Sequence, residues 1–380
     1  MMTERMPAVN PPPAAVARPP TLHSVQAGRG LAALLVVLGH TSASVFDIPK
    51  YWATNPVGPL FDFGHAGVEF FFVLSGFIIL FVHWADIGRG ARSANFLRKR
   101  FLRIYPIYWL VLAALLVVYF AVPSFGEGFE RDPDIILSSA LLILGDRVSD
   151  TFKPITIIPA AWTLYHEVLF YAFFMILILS RRIGAGLFLA WLVLSSLPLF
   201  GADITGVAAF YLAPYHLLFA MGMAAAWLYR RQRVPLPAVL AVLGPLLFFG
   251  AGMEEVWIGW LPIDLRSLVY GLGSMLSLLA YADLERRGRL RVPAALVLLG
   301  EASYALYLVH LPVLVLLAKL STRLPGRDAI PLGVSYAVFV VTTVLIGVMF
   351  HLVVERPLLR RLNRRRSPPA ASSLLIKASP

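Results

Sequence analysis

Residues 29–40 read Arg29-Gly-Leu-Ala-Ala-Leu-Leu-Val-Val-Leu-Gly-His40, an apolar run with an ionisable residue at each end. Eleven helical steps make about three turns, so Arg29 and His40 would share one face of a helix, about 16 Å apart along its axis. A run this apolar is typical of a membrane span, in which ionisable side chains are costly to bury and mark functional sites. Arg29 and His40 are therefore candidate functional residues.

The same apolar character extends over the whole chain of 380 residues, which is 59% hydrophobic and only 14% charged. A soluble domain would be about half apolar and about a quarter charged. The composition therefore predicts an all-α fold, a polytopic membrane helix bundle. The net charge of +12 does not indicate a nucleic-acid partner, because the arginines cluster between the apolar segments. The absence of cysteine excludes disulfides, a thiol nucleophile and thiolate metal sites, and we expect no metal and no permanently bound cofactor.

The apolar segments predict the organisation of the chain. Residues 134–145 are apolar but too short to span, so we expect an interfacial or re-entrant helix there. The termini, 1–21 and 363–380, are predicted to be disordered tails, the second of them basic, which leaves 22–362 as the transmembrane domain. We predict about ten transmembrane helices, at 29–46, 67–84, 104–122, 159–180, 184–200, 207–229, 236–253, 265–283, 295–318 and 331–354.

The lysines and arginines predict the orientation of these helices. Of the 33, 25 fall in the tails and in the loops on one side. Because cytoplasmic loops carry the excess of Lys and Arg, we predict that both termini are cytoplasmic. The longest loop on the other side, 123–158, carries acidic residues: Glu127, Glu130, Asp132, Asp134, Asp146 and Asp150.

Four ionisable residues on four predicted helices fall near one depth in the membrane: His40, Glu167, His216 and His310. Such groups face a bundle interior and pair with each other. A glutamate beside a histidine favours the imidazolium and can fix its tautomer, which suits a general base. The structural alternative, that a buried histidine only hydrogen-bonds between helices, fits His216 and His351 as well. Glu69 lies near the outer end of its helix and could equally reach the surface.

A basic segment, residues 95–106, lies at the start of the third predicted span and reads Asn-Phe-Leu-Arg-Lys-Arg-Phe-Leu-Arg-Ile-Tyr-Pro. Arginine forks suit phosphate recognition, so Arg98, Arg100 and Arg103 predict an anionic cytosolic ligand. The alternative is a topology anchor that touches anionic lipids. At Ser75-Gly76, small residues indicate close helix packing rather than a serine nucleophile.

Several of these segments together resemble the acyltransferase-3 family of integral membrane O-acyltransferases. They match in order over nearly the whole chain, and they look most similar to the exopolysaccharide acetyltransferase branch. That branch usually has Asn-Tyr where Tyr165-His166 stands here, and Asp is common in the family at Glu69. The matching blocks are Arg29-x10-His40, residues 67–77, residues 98–109, Ala161–Tyr171, Leu299–Pro312 and Glu355-Arg-Pro.

The resemblance implies transfer of an acyl group, typically acetyl, from a cytosolic acyl-CoA such as acetyl-CoA. The acceptor would be a hydroxyl of a cell-surface or exported polysaccharide, or of its lipid-linked oligosaccharide precursor. The enzyme would lie in the bacterial cytoplasmic (inner) membrane, in contact with membrane lipids. The roles implied are His40 and Glu167 for catalysis, Arg29, Arg98, Arg100 and Arg103 for the donor, and Glu69, Trp162, Tyr307 and His310 for the acceptor.

His40 would act as a general base or carry the acyl group transiently, with Glu167 orienting it. Two other functions fit the same residues. In a proton-coupled transporter or flippase of a lipid-linked sugar, the intramembrane His and Glu residues would form a proton relay. In a scaffold of a polysaccharide-export complex, these residues would tolerate alanine.

Overall fold

A computed structural model of the chain describes residues 21–122, 132–145, 154–232 and 234–364. Residues 1–20 and 365–380, which make up most of the predicted tails 1–21 and 363–380, lie outside the described residues, as do the loop residues Glu127, Glu130, Asp146 and Asp150. The helices are α1 (His23–Thr41), α2 (Ala66–His83), α3 (Ser93–Ala121), α4 (Pro133–Leu141), α5 (Trp162–Leu179), α6 (Arg181–Ser196), α7 (Gly206–Tyr211), α8 (Tyr215–Arg230), α9 (Pro237–Trp257), α10 (Ile263–Arg286), α11 (Ala294–Glu301), α12 (Ser303–Ser321), α13 (Leu332–Phe350) and α14 (Arg356–Arg364).

Ten helical segments of the described chain are long and apolar enough to cross a membrane, which confirms the predicted multi-pass bundle. Two predicted helices are each divided. The helix predicted at 207–229 is interrupted before Pro214, and the one predicted at 295–318 breaks at Ala302. The third helix begins at Ser93, well before its predicted start, so the basic segment 95–106 is helical rather than a loop. Hydropathy alone placed this start too late because it detects the apolar part of a helix and not its charged first turns.

The helices divide into a buried centre and a lipid-facing rim. In α1, α2 and α10, more than half of the most apolar stretch is buried inside the bundle. In α6, α9 and α13, less than a quarter is buried, and apolar side chains such as Val242 and Leu345 are exposed. Exposed apolar side chains are expected where the solvent is lipid. The centre of the bundle is therefore the place for polar chemistry.

The closest helix crossing joins α2 to α8. A Cβ atom added at Gly76 would lie 2.0 Å from the carbonyl oxygen of Phe219, and one added at Gly222 would lie 1.8 Å from that of Val73. Only glycine permits this backbone approach, which is the usual device for joining helices in lipid. The packing interpretation of Ser75-Gly76 is thus correct for Gly76.

The short helix α4 packs its C-terminal end against the middle of α3. Tyr105, Tyr108 and Trp109 of α3 donate hydrogen bonds of 2.7–2.8 Å to the carbonyl oxygens of residues 141, 139 and 140. The last carbonyls of any helix lack partners within it and must be satisfied elsewhere. The aromatic side chains of α3 therefore allow this helix to end against the middle of a membrane-spanning helix.

Candidate active site

A cavity of about 320 Å³ lies among α1, α2, α3, α5 and α12. Its polar lining combines Arg29, Arg100 and Arg103 with the carboxylate of Glu167. Three of the four arginines predicted to bind the donor thus meet around one cavity, together with one of the two predicted catalytic residues. Arg98 is not among the lining residues. We call the end of the bundle that carries Arg29, Arg103 and α14 the basic end.

The helical state of residues 95–106 explains which arginines reach the cavity. Residues three apart lie on one side of a helix, so Arg100 and Arg103 enter the cavity together. Arg98 is two residues from Arg100, and positions i and i+2 do not face each other. The density of basic residues in the sequence does not show which arginines face the cavity, whereas their spacing on a helix does.

Arg100 is held by a chain of polar contacts that leaves part of its guanidinium unused. It donates to Nε2 of His83 at 3.3 Å, and Nδ1 of His83 lies 2.8 Å from Asp86. The guanidinium also lies 5.7 Å from the ring centre of Tyr171. Its Nε atom is buried and has no hydrogen-bond partner among the described residues. A buried donor without a partner is costly, so Arg100 has an unsatisfied donor beside the cavity, and its binding of an anion stays a prediction.

The other two cavity arginines sit at its basic end. Arg103 lies 3.6 Å from the carboxylate of Glu355 and 5.3 Å from the ring centre of Tyr304. His351 donates to the Glu355 carboxylate over 2.7 Å within one helical segment, so its hydrogen bond is structural but does not join two helices. Arg29 donates to the side chain of Gln26 at 3.2 Å.

Glu167 faces the cavity from α5. Its Oε1 atom accepts a hydrogen bond from Ser75 at 3.0 Å and a second, short one from Tyr171. The hydroxyl of Ser75 is thus engaged as a donor, in agreement with the expectation that it is no nucleophile. These contacts tie Glu167 to the arginine cavity, while the orientation of His40 by Glu167 stays a prediction.

His40 and His310 face each other from α1 and α12. Their ring centres are 5.0 Å apart, with the rings at 61°. Nδ1 of His40 lies 2.9 Å from the carbonyl oxygen of Val36, and Nδ1 of His310 lies 2.7 Å from that of Tyr307. Because a carbonyl can only accept, both Nδ1 atoms carry the proton in the neutral rings, and each Nε2 atom carries a lone pair. Nε2 of His310 is buried without a hydrogen-bond partner in the described part of the chain.

Tyr307 connects the arginine cavity to this histidine pair. Its ring lines the cavity and lies 5.7 Å from the ring centre of His310. Its hydroxyl donates to the carbonyl oxygen of Ala160 at 2.8 Å and lies 2.9 Å from Thr163, which fixes the ring between α5 and α12. Tyr307 and His310, two of the predicted acceptor-site residues, therefore connect the arginine cavity to His40 through ring contacts.

Trp162 covers a buried aromatic and histidine cluster at the start of α5. Its ring centre lies 5.6 Å from that of Tyr215 and 5.8 Å from that of His166. Behind it, Nδ1 of His166 lies 3.1 Å from Nε2 of His216, whose Nδ1 lies 3.2 Å from the hydroxyl of Ser195. His216 thus bridges helices α5, α6 and α8, as the structural alternative proposes, rather than joining His40.

Glu69 belongs to a separate polar network. It is buried, with 3% of its side chain exposed, so it does not reach the surface. Ser267 donates to it at 3.2 Å, and His65 lies 3.5 Å away. His65 in turn contacts Glu255 at 2.8 Å, and Tyr270 donates to that same carboxylate at 2.7 Å. This network joins α2, α9 and α10 and lies outside the arginine cavity.

Some residues of the site were not singled out in the sequence. Tyr171 lies four residues after Glu167, and Glu355 four after His351, so helical spacing alone could have identified both. Ser75 was interpreted only as a packing residue, and nothing in the sequence pairs it with Glu167, which lies 92 residues later on another helix.

Known proteins match this chain over most of its length. A family model for an acyltransferase domain, that of the acyltransferase-3 family, covers residues 22–352. The exopolysaccharide production protein ExoZ of Rhizobium meliloti (strain 1021) is 31% identical over 83% of this chain and 96% of its own length. Acyltransferase MdmB of Streptomyces mycarofaciens is 28% identical over 93% of this chain and 95% of its own length.

A shorter match joins the chain to protein 2 in the picA locus of Rhizobium radiobacter, which is 28% identical over 37% of this chain and 73% of its own length. No solved structure matches the chain significantly. Since the family model covers far more than half of the chain, and ten apolar helices of the described residues can cross a membrane, the protein belongs to the acyltransferase-3 family of multi-pass membrane acyltransferases.

Proposed function

We propose that this acyltransferase moves an acetyl group from cytosolic acetyl-CoA to a hydroxyl of an exported polysaccharide or of its lipid-linked precursor. The observation that carries the proposal is the chain of ring contacts that leads from the arginine cavity through Tyr307 and His310 to His40. It joins a cavity lined by arginines at the basic end to a pair of imidazoles that both carry a proton on Nδ1. The enzyme would lie in the bacterial cytoplasmic (inner) membrane.

The donor end of the path fits a nucleotide thioester. The excess of arginine at the basic end favours the cytosolic side. The cavity is lined by three arginines, Arg29, Arg100 and Arg103, and by one carboxylate, that of Glu167. Arginine forks bind phosphate oxygens in pairs, and charge-assisted hydrogen bonds of this kind are the strong ones. With the phosphates at this level, the thioester arm would extend along α1 toward His40.

Two chemical routes fit His40. As a general base, its Nε2 atom takes the proton of the sugar hydroxyl while the oxygen attacks the thioester carbonyl. The C–S bond then breaks, and the thiolate of CoA receives the proton from the imidazolium. As a nucleophile, Nε2 attacks the thioester carbonyl itself, and the C–S bond breaks to release the thiolate. The sugar oxygen then takes the acyl group from the acyl-imidazolium, the bond from the acyl carbon to Nε2 breaks, and the hydroxyl proton passes to the thiolate.

Glu167 would assist either route electrostatically. A carboxylate near a forming imidazolium favours the charged ring and so raises its basicity. Its hydrogen bonds with Ser75 and Tyr171 hold it in one orientation, which is what a preorganised charge requires. On the acceptor side, the half-buried Trp162 offers an aromatic face of the kind on which sugar rings pack. The similarity to ExoZ, an exopolysaccharide production protein, supports a polysaccharide acceptor.

The test compares His40→Ala with His23→Ala in a strain that lacks the chromosomal copy. Both residues lie on α1, but His23 is 56% exposed and pairs only across the surface, with Glu285. We expect His40→Ala to abolish acetylation of the surface polysaccharide at normal membrane levels of the protein, and His23→Ala to retain it. Wild-type acetylation by His40→Ala would overturn the proposal.

A labelled donor then separates the two routes. Purified protein mixed with labelled acetyl-CoA without acceptor would carry the label on His40 if the imidazole is acylated. Recovery of the label only in CoA ester form would assign the general-base route. Net transport of a lipid-linked sugar in proteoliposomes without acyl-CoA, combined with the absence of acetyl transfer, would instead support the transporter.

A further inference from the structure

A second cavity, of about 570 Å³, opens beside the arginine cavity at the basic end. The two cavities share Gln26, Arg29 and Arg103, so they meet at α1 and α3. The additional wall is α14, which contributes Arg356 and Arg360 to the lining. A ligand that extends out of the arginine cavity past Arg29 and Arg103 therefore reaches the face of this helix.

The two arginines of α14 are placed as a pair. They are four residues apart and so lie on one face of the helix. Both are exposed, and among the described residues neither makes a hydrogen bond or an ion pair. Other arginines at this end are committed to acidic partners, as Arg286 and Arg287 are to Asp283. Arg356 and Arg360 thus supply two guanidinium groups with unused donors at the margin of one cavity.

The number of these cations and their division into two groups suit an extended anion with two phosphate centres. Arg29 and Arg103 stand where the cavities join, and the pair on α14 stands farther out. A CoA thioester carries a diphosphate at the start of its thioester arm and a separate phosphate monoester on its ribose. At neutral pH a phosphate monoester carries about two negative charges and three acceptor oxygens, which two arginine forks can bind.

We propose that Arg356 and Arg360 of α14 bind the ribose 3′-phosphate of the donor, while Arg29 and Arg103 bind its diphosphate. This inference rests on the proposed function, in which the donor is an acyl-CoA. It assigns to the C-terminal helix a direct part in donor recognition. The same chemistry could serve the phosphate of an anionic lipid, but the cavity continues inward to the arginine cavity and not only along the membrane surface.

The test measures binding of adenosine 3′,5′-bisphosphate and of adenosine 5′-monophosphate to the purified full-length protein in neutral detergent. We expect the wild type to bind the bisphosphate about tenfold more tightly than the monophosphate, because its 3′-phosphate adds charge-assisted hydrogen bonds. The double variant Arg356→Gln/Arg360→Gln should lose this preference and keep its affinity for the monophosphate. Arg289→Gln removes an exposed arginine that lines neither cavity and should keep the preference.

The retained monophosphate affinity shows that the double variant is folded. A preference for the bisphosphate that persists in the double variant, or is absent in the wild type, would overturn the inference. If Arg356 and Arg360 instead bind a lipid phosphate, the double variant should lose binding to vesicles that contain phosphatidylglycerol but keep the preference for the bisphosphate. That result would also overturn the inference. Titration of acetyl-CoA separates the 3′-phosphate site from the proposed function. If the wild type binds acetyl-CoA but its preference for the bisphosphate does not depend on α14, only the 3′-phosphate site is wrong. If the wild type does not bind acetyl-CoA, the proposed donor itself is wrong.

Discussion

The imidazole rings of His40 and His310 lie edge to face at 5.0 Å, on helices α1 and α12 that are about 260 residues apart in sequence. Each ring is anchored through Nδ1 to a backbone carbonyl of its own helix. Both Nε2 atoms thus carry a lone pair, and the orientation of each ring is set by its helix backbone. His310 therefore packs against the ring of His40, and its role as a contact for the acceptor stays a prediction.

Replacement of His310 by phenylalanine should preserve the ring contact while removing the second lone pair. If His310 holds the acceptor hydroxyl, we expect kcat to fall about 100-fold, as for a small misplacement of reacting groups, with the KM for acetyl-CoA nearly unchanged. Steady-state kinetics with the purified protein give both constants. Full activity of His310→Phe would show that only its shape matters.

Arg100→Lys and Arg103→Lys should each raise the KM for acetyl-CoA about tenfold, because lysine keeps the charge but loses the paired donors. Arg98→Ala should change KM less than about twofold, since Arg98 is not among the cavity-lining residues. Direct titration of acetyl-CoA checks all three variants. Equal losses at the three positions would mean that the cluster acts only through its total charge.

Glu167→Gln keeps a carbonyl oxygen for Ser75 and Tyr171 but removes the negative charge from the cavity. We expect transfer to fall about 100-fold, because the charge that favours an imidazolium at His40 is lost. The matched variant Tyr171→Phe removes one hydrogen bond and retains the carboxylate, so its activity should fall much less. The O-acetyl content of the polysaccharide and the rate with purified protein measure both, and similar losses in the two variants would assign Glu167 a structural role.

Gly76→Leu should prevent correct packing of α2 on α8, because the space for its Cβ is filled by the backbone of Phe219. We expect destabilisation of at least about 1–3 kcal/mol, the range for overpacking, and loss of the monodisperse protein in detergent. Gly250→Leu is the control, since a Cβ there meets no atom within 4 Å. Thermal unfolding followed by size-exclusion chromatography distinguishes them; a normal profile for Gly76→Leu would contradict the close crossing.

Much of the bundle follows from apolar segment length, because a membrane span needs a long run of apolar residues wherever it occurs. The charged start of α3 does not follow, because charged turns lower the hydropathy by which a span is recognised. The breaks before Pro214 and at Ala302 do not follow either, because they leave the average hydropathy of their segments unchanged. For the site, matched depth correctly placed His40 and His310 in one layer. Depth could not say that Glu167 turns toward Ser75 and the arginines, because depth does not define the direction in which a side chain leaves its helix.

The sequence by itself determined the multi-pass helical bundle and the family, because both depend on local hydropathy and on short motifs in order. It also determined which residues are costly to bury and so need a purpose, among them His40, Glu167 and Arg103. Only the tertiary structure decided their partners: His310 for His40, Ser75 for Glu167 and Glu355 for Arg103. The physical reason is that a partner depends on the rotation and crossing of two helices far apart in sequence, which are set by packing contacts such as Gly76 against Phe219.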